Sequence, residues 1–515
     1  MTVDLLTRLA AVLRYQPSEE AISQDGRWDT WGDLDALGES LGRLIDDLPA
    51  NAFVALIGRN HAATIAALLR CLIVARPVLV MNNMQPDAVL AQEITSLRPA
   101  AIVAVREDWT RPGLLDAARQ LGSWGIEIDR APSASARVVV AGTPGGPDGY
   151  VTAGVGCALS LKTSGSTSAP KRVEISRSGL AASIDAVTRH HGGGDEPAVR
   201  LRSGVTIQML SLAHTSAIQS ICVTVSDGRR LALLDRFEPV AWARAVRDHG
   251  VVTTGVPPAG LRMILDADID PSWLSSLRAA RAGSAPLEPA LAEEFEERFG
   301  VPVLQAYGAT ELQGLASWTL KDHGRYRREK RGAVGRVHPG VEIRVVDAES
   351  GSPFPVGQPG LLEVRTAQAA AASGDWIRTT DIARYDEDGF LWILGRADGA
   401  INRGGFKIDA DEVVRALREH PMVADAAVVS MPDTRLGEVP AAAVEPKRDG
   451  EAPNEADLIQ WLRARLEAYK VPRPILVLDE LPRTIAMKPD NQRIRELVRS
   501  AAAGRAASNE KANES

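Results

Sequence analysis

Residues 161–171 read Leu-Lys-Thr-Ser-Gly-Ser-Thr-Ser-Ala-Pro-Lys, between a strand candidate and a helix that starts near Ser176. Small residues at this density let several backbone N–H groups, and the hydroxyls of Thr163, Ser164, Ser166 and Thr167, converge on phosphate oxygens, while Lys171 adds a point charge. The chemistry such a run serves is cradling a phosphate chain; taken alone, it also suits an ordinary Ser/Gly loop. It is not a Walker loop, because Pro170 stands where the second glycine should be and Arg172 follows the lysine. Tyr307 to Glu311, again taken alone, reads as a turn ending in a solvated carboxylate. His214, within Leu-Ser-Leu-Ala-His-Thr-Ser, is either a titratable site group or a satisfied structural histidine. The other seven histidines form no metal-like cluster, and His190-His191 followed by Gly192 to Gly194 reads as a helix end running into a loop. Cys71, Cys157 and Cys222 lie far apart without CxxC spacing, which excludes a zinc site or a disulfide framework and fits a reducing compartment.

The elements that must position these groups follow from periodicity. The 515 residues are enough for about three structural units. Apolar residues at 45% and charged residues at 24% describe a globular chain with ample core material. A net charge of -7 gives no reason to expect nucleic acid or an anionic membrane as partner. Asp4 stands where a signal peptide needs basic residues, and the most apolar region, Phe53 to Met84, is broken by Arg59, Asn60, His61, Arg70 and Arg76. A cytoplasmic, small-molecule enzyme is the expectation. β-branched runs at Phe53 to Ile57, Val78 to Met81, Ala101 to Val105 and Val301 to Leu304 alternate with helical patterns such as Ala62 to Leu72 and Pro289 to Phe299, the rhythm of α/β architecture. Near the C-terminus, Gly389 to Leu394 reads as the second arm of a hairpin after Asp388-Gly389. A helix is expected from Asp409, with Glu412 as its capping-box partner and Pro421 as its stop. The strand Ala426 to Ser430, the helix Leu458 to Leu466 and the strand Ile475 to Leu478 complete a small unit. A domain boundary is expected at Arg396, giving domains 1–396 and 397–515, with 501–515 a frayed tail.

The phosphate loop resembles the Thr-Ser-Gly-Thr-Thr-Gly-x-Pro-Lys of the adenylate-forming superfamily, which contains acyl- and aryl-CoA ligases, peptide-synthetase adenylation domains and luciferases. Further signatures occur in that family's order along nearly the whole chain. Gly283-Ser284-Ala285-Pro286 is similar to its adenine-pocket segment. Tyr307-Gly308-Ala309-Thr310-Glu311 matches its Tyr-Gly-x-Thr-Glu element. The resemblance implies that Tyr307 packs on adenine, Thr310 bonds the α-phosphate and Glu311 holds Mg²⁺; an aromatic face, a neutral donor and a hard carboxylate suit those roles. Trp376-Ile-Arg-Thr-Thr-Asp381 resembles the ribose motif, with Asp381 on the ribose hydroxyls and Arg396 against ribose and phosphate. Asp398 falls on the hinge. Gly404, Gly405 and Phe406 fall on the loop that lines the thiol tunnel, in a form closer to CoA ligases than to peptide-synthetase domains. His214, Gly308, Leu312 and Gly314 fall in the acyl pocket. Lys488, in Leu-Pro-Arg-Thr-Ile-Ala-Met-Lys, is the catalytic lysine, whose ammonium would neutralise charge between two anions.

The fold so implied is α/β, a large N-terminal domain of packed α/β subdomains with a small, mobile α+β C-terminal lid. The implied reaction joins a carboxylic acid to coenzyme A through acyl-AMP, using ATP and Mg²⁺. Four positions depart from the family pattern: Ser168, Thr380 and Met487 stand for glycines, and Asn491 for a common arginine. Methionine before Lys488 disfavours positive φ and adds bulk, so a second reading is an enzyme that adenylates weakly and takes preformed acyl-AMP, supplied by a partner adenylating enzyme, to the CoA thioester. A ligase that loads a carrier protein and a non-catalytic binding relative are further alternatives.

Overall fold

The computed structural model describes residues 5–130, 132–143, 149–162, 172–191, 199–369, 375–397, 400–403, 406–433, 437–448, 451–484 and 487–501. They divide into two compact units. The larger takes the described residues up to 342 together with 365–376, and the smaller takes 343–364 and those from 377 onward.

In the larger unit, a seven-stranded sheet runs in the order Ser135–Val140, Trp124–Asp129, Ala101–Val105, Val54–Ile57, Val78–Met81, Cys157–Lys162, Arg172–Ser176. Its five inner strands are parallel and its two edge pairs antiparallel. The inner strands Val54–Ile57, Val78–Met81 and Ala101–Val105 are buried along their whole length, as apolar runs covered on both faces must be. The helix Ala62–Ile73 is buried all round except at Arg70 and Ile73, which matches a composition that is apolar apart from Thr64 and Arg70. The observed helix Pro289–Phe299 and the strands at 78–81 and 101–105 coincide with the periodicity of the sequence.

A four-stranded sheet in the same unit places β1 (Val205–Gln208) beside Arg230–Leu233, then Glu20–Gln24 and Arg27–Thr30. The last two form a hairpin whose turn residues, Asp25 and Gly26, both take positive φ. Five further strands lie in the order β2 (Thr253–Gly255), β3 (Ala279–Ala282), β4 (Val303–Ala309), β5 (Gln313–Ser317) and Gly335–Val337; the first three are parallel and the rest antiparallel. Helices α1 (Arg177–His190) and α2 (Thr215–Ser226) pack on each other within this unit. The first is capped by the Ser176 hydroxyl, which accepts from Gly179 N–H at 3.0 Å, and it ends at the His190-His191 pair as expected.

In the smaller unit Gly360–Thr366 (as far as Val364), Ile377–Tyr385 and Phe390–Arg396 form an antiparallel ladder, closed at Asp386 to Gly389 by the anticipated turn. The strands Phe406–Asp409, Ala400–Arg403, Gly437–Pro446 and Val423–Asp433 make a second sheet, which Ile475–Val477 joins in parallel beside Gly437–Pro446. Helices Ala410–Arg418 and Glu455–Arg463 share an apolar core with this sheet through Val413, Leu417, Leu458 and Leu462. Because 343–364 contributes a strand to the ladder of 377–396, both stretches group with the C-terminal residues in the smaller unit. The capping box at Asp409 is different from expectation. Asp409 caps its helix through Asp411 N–H at 2.9 Å, while Glu412 is drawn to Lys470 at 2.9 Å. A lysine distant in sequence offers the carboxylate an ion pair, which the backbone N–H cannot match.

Candidate active site

The hairpin of β4 and β5 carries the Tyr307 to Glu311 element. Its strands pair Tyr307 with Ala316, slip by one residue, and pair Gly308 with Gly314 and Ala309 with Gln313. Leu312 N–H closes the turn on the Ala309 carbonyl at 3.1 Å, and Gln313 completes it in the left-handed region, φ 59°. A Cβ at position 308 would stand 2.2 Å from the Gln313 carbonyl oxygen, so only glycine allows the two arms to approach this closely. The Gln313 side chain is buried and donates to the Gln368 carbonyl at 3.1 Å, pinning the turn from behind. The outcome is a rigid tip with Glu311 exposed, Thr310 and Tyr307 half-buried and Leu312 turned into the core.

Beneath this hairpin lies a cavity of about 930 Å³, walled by β1 to β5 and by α1 and α2. Gly283, Ser284, Tyr307 and Gly314 line it, which brings two expected adenine-pocket residues, the expected adenine-stacking tyrosine and one expected acyl-pocket residue onto one space. Ala285 and Pro286 are adjacent in sequence but do not line it. Neither do Gly308, Leu312 or His214, the last of which serves as the N-terminal boundary of α2. Two histidines, His191 and His338, line the wall, and His190 packs against both. His190 Nε2 donates to the Ser317 carbonyl at 2.9 Å, His338 Nε2 meets the Ser317 hydroxyl at 2.9 Å, and the two rings lie 4.5 Å apart. Burial pushes the His338 imidazole down to about 4 and His191 down to about 3, and it lowers His190 as well; the charge of Arg281 acts in the same direction on all three. The cluster is therefore neutral at physiological pH.

The phosphate loop, Thr163, Ser164, Gly165, Ser166, Thr167, Ser168 and Lys171, lies outside the described residues. Its two flanks do not. Lys162 and Arg172 face each other across the antiparallel pair Cys157–Lys162 and Arg172–Ser176, and Glu93 reaches both, at 3.3 Å and 3.0 Å. Burial would raise the Glu93 pKa, but Gln85 and the two cations together hold it below the usual carboxylate value. Glu93 comes from the helix Asp87–Leu97, nearly 70 positions upstream of the loop, and no local pattern marks it.

In the smaller unit, Asp381 and Arg396 are direct cross-strand partners in the ladder, so the two residues expected at the ribose stand opposite each other. The Arg396 and Phe406 side chains, and Asp398, Gly404 and Gly405 altogether, lie outside the described residues. Lys488 sits in a tight turn. Thr484 N–H donates to the Lys488 carbonyl at 2.7 Å, Met487 N–H donates to the Thr484 carbonyl at 2.9 Å, and Met487 takes φ 59°. Arg483 ties the turn to the sheet through Asp425 at 2.8 Å and Glu445 at 3.1 Å. Burial would raise Asp425, yet the adjacent Arg418 and Arg483 outweigh it and hold the carboxylate down.

Among the described residues no three His, Cys, Asp or Glu side chains gather as a metal cage, and no helix is long and apolar enough to cross a membrane. The AMP-binding enzyme family matches residues 9–372, and its C-terminal domain family matches 412–488. An indoleacetate–CoA ligase of Aromatoleum aromaticum is 31% identical over 354 residues, 65% of this chain and 66% of that protein. A 4-coumarate–CoA ligase-like protein of Oryza sativa is 30% identical over 66% of this chain and 63% of its own length. The matched region thus spans just under two thirds of these relatives. Among solved structures, the amide bond synthetase McbA of Marinactinospora thermotolerans aligns with TM-score 0.77 and 27% identity, covering 96% of this chain and 99% of its own. ATP-bound MatB of Rhodopseudomonas palustris shares the fold, with TM-score 0.79 at 22% identity over 96% and 99% of the two chains. The motif order, the hairpin and these matches agree, and the chain belongs to the AMP-binding enzyme family.

Proposed function

We propose that the protein is an acid–thiol ligase that converts a carboxylic acid to its coenzyme A thioester through an acyl-adenylate. The observation that carries this reading is the shared cavity. Tyr307, Gly283 and Ser284 on one part of its lining and Gly314 with α1 and α2 on another provide adjoining room for a nucleotide and for an acid of aryl size. Similarity to proteins named as an indoleacetate–CoA ligase and a 4-coumarate–CoA ligase-like protein supports the same class of reaction.

A carboxylate is a poor acyl donor because oxide leaves badly. Its oxygen attacks the α-phosphorus of ATP, pyrophosphate departs, and the thiol then attacks the acyl carbon to expel AMP. In this chain Thr310 would donate to the α-phosphate from the rigid hairpin tip, and Tyr307 would offer its ring to adenine. Asp381 would accept from the ribose hydroxyls, with Arg396 beside it. Lys171 and the hydroxyls of residues 163–167 would take the phosphate chain. Lys488 would neutralise the approach of carboxylate to phosphate, and withdrawal of its domain about Asp398 would admit the thiol past Gly404, Gly405 and Phe406. The donor set fits Mg²⁺: Glu311 is a single exposed carboxylate, the arrangement suited to a hard cation that keeps most of its shell for water and phosphate. Such an ion supplies charge neutralisation at the phosphates.

The test is a paired assay over a library of carboxylic acids: pyrophosphate release from acid and ATP, and CoA consumption from synthetic acyl-AMP. Activity in both arms supports the full ligase. Activity in the second arm alone supports the thioester-only reading, and activity in neither with any acid overturns both. An amine acceptor is the second reading that an observation favours, because the amide synthetase has the same fold at 27% identity; substituting amines for CoA in the second arm decides it.

A further inference from the structure

The cavity lining carries five arginines and two aspartates, with no lysine or glutamate. Most of these charges are spoken for. Asp227 pairs with Arg202 at 2.9 Å and with Arg229 at 2.5 Å, Asp185 pairs with Arg189, and Arg8 donates to the Ser226 carbonyl at 2.7 Å. Arg281 is the exception. Its Nε is enclosed and has no hydrogen-bond partner, and among the described residues no carboxylate pairs with its guanidinium. Arg281 itself lines the cavity, while Ala280, the preceding residue on β3, is buried in the core and does not. In register it stands between Gly255 of β2, which has no side chain to occupy the space, and Leu304 of β4, and all three line the cavity. An arginine does not discharge by losing its proton, so a guanidinium at a cavity wall without a carboxylate partner is a cation ready to receive an anion. Burial, followed by the charge of Arg229, indeed presses its pKa down. The histidines beside it are neutral and cannot supply a countercharge.

We infer that Arg281 is a specificity-determining residue that receives a second anionic group on the acid substrate, so that the preferred acid is a dianion with one carboxylate for adenylation and another acidic group at its far end. The inference rests on the ligase reading for the first carboxylate, but the anion site itself does not depend on catalysis.

Two measurements separate them. The first is ligand-induced thermal shift and calorimetry of the full chain, without ATP, using matched aryl acids with and without a second carboxylate at varied spacing. At least one dicarboxylate should bind about 10- to 100-fold more tightly than its mono-acid partner, the range lost with one charge-assisted bond. Arg281→Met should abolish that preference and Arg281→Lys keep part of it, with ATP binding unchanged in both. The second is kcat/KM for the same pairs, with the loss in Arg281→Met expected in KM. Binding that depends on Arg281 without turnover of any acid would leave the anion site standing and remove the ligase reading. Turnover of mono-acids with the same selectivity in wild type and Arg281→Met, no dicarboxylate preference anywhere in the set, or weakened ATP binding in the variant would overturn the inference.

Discussion

Replacing Met487 by glycine tests whether the turn beside Lys488 holds its geometry against the preference of its own residue. An L-residue in the left-handed region carries a penalty of about 1–2 kcal/mol. Glycine removes the penalty but adds about 0.5–1 kcal/mol of unfolded-chain entropy. The net gain for Met487→Gly is thus up to about 1.5 kcal/mol, while Met487→Ala keeps the strained φ and should gain nothing. The gain is local and the chain has two units, so global unfolding is the wrong assay. Native-state hydrogen exchange is the right one, because Thr484 N–H and Met487 N–H both bond within the turn. Their exchange should slow up to about tenfold in Met487→Gly and stay near wild type in Met487→Ala. Since Met487 already holds φ 59°, the turn takes the conformation a glycine would take, and pyrophosphate exchange should change less than about tenfold. Faster turn exchange in Met487→Gly, or a gain of about 100-fold or more in pyrophosphate exchange, would refute the reasoning. The second result would mean that methionine displaces the ammonium.

Other consequences follow from particular contacts. Glu93→Gln leaves Lys162 and Arg172 without their shared anion at the two ends of the phosphate loop, so KM for ATP should rise about tenfold with less change in kcat; an unchanged KM would show that the loop needs no such clamp. Gly308→Ala forces a backbone shift at the hairpin, and about 1–3 kcal/mol of stability should go together with activity, read by thermal unfolding and turnover. His338 has a folded pKa of about 4, below its unfolded value of 6.5, so the unfolded chain binds the proton first and stability falls as pH drops from about 6.5 to 4. That group accounts for about 3 kcal/mol. Denaturant titrations at pH 7 and 4.5 should show a loss smaller by about 2–3 kcal/mol in His338→Gln than in wild type, and equal losses would remove His338 as a cause.

What could be read from the chain before its folding was local. The strands at 78–81 and 101–105, the helix Pro289–Phe299 and the Asp388-Gly389 turn were legible because periodicity and turn chemistry act over a few residues. The Tyr307 to Glu311 segment was legible as a turn, but not the reason Gly308 is required there, which is the approach of a carbonyl from the other arm. Glu93 and Arg281 gave no signal. One is an ordinary acid on a helix surface pattern, the other a single arginine among alanines, and only strand register and helix packing bring them to the loop flanks and the cavity. The grouping of 343–364 with 377–396 was hidden for the same reason, since sheet membership is decided by pairing between distant segments.

The central claim is attack by a substrate carboxylate on the α-phosphorus of ATP, and isotope transfer measures it directly. With an accepted acid carrying ¹⁸O in its carboxylate, the bridging oxygen stays with phosphorus when the thiol takes the acyl group. One ¹⁸O should then appear in AMP, with pyrophosphate unlabelled. Label in inorganic phosphate together with ADP, or thioester formation with unlabelled AMP, would contradict the account.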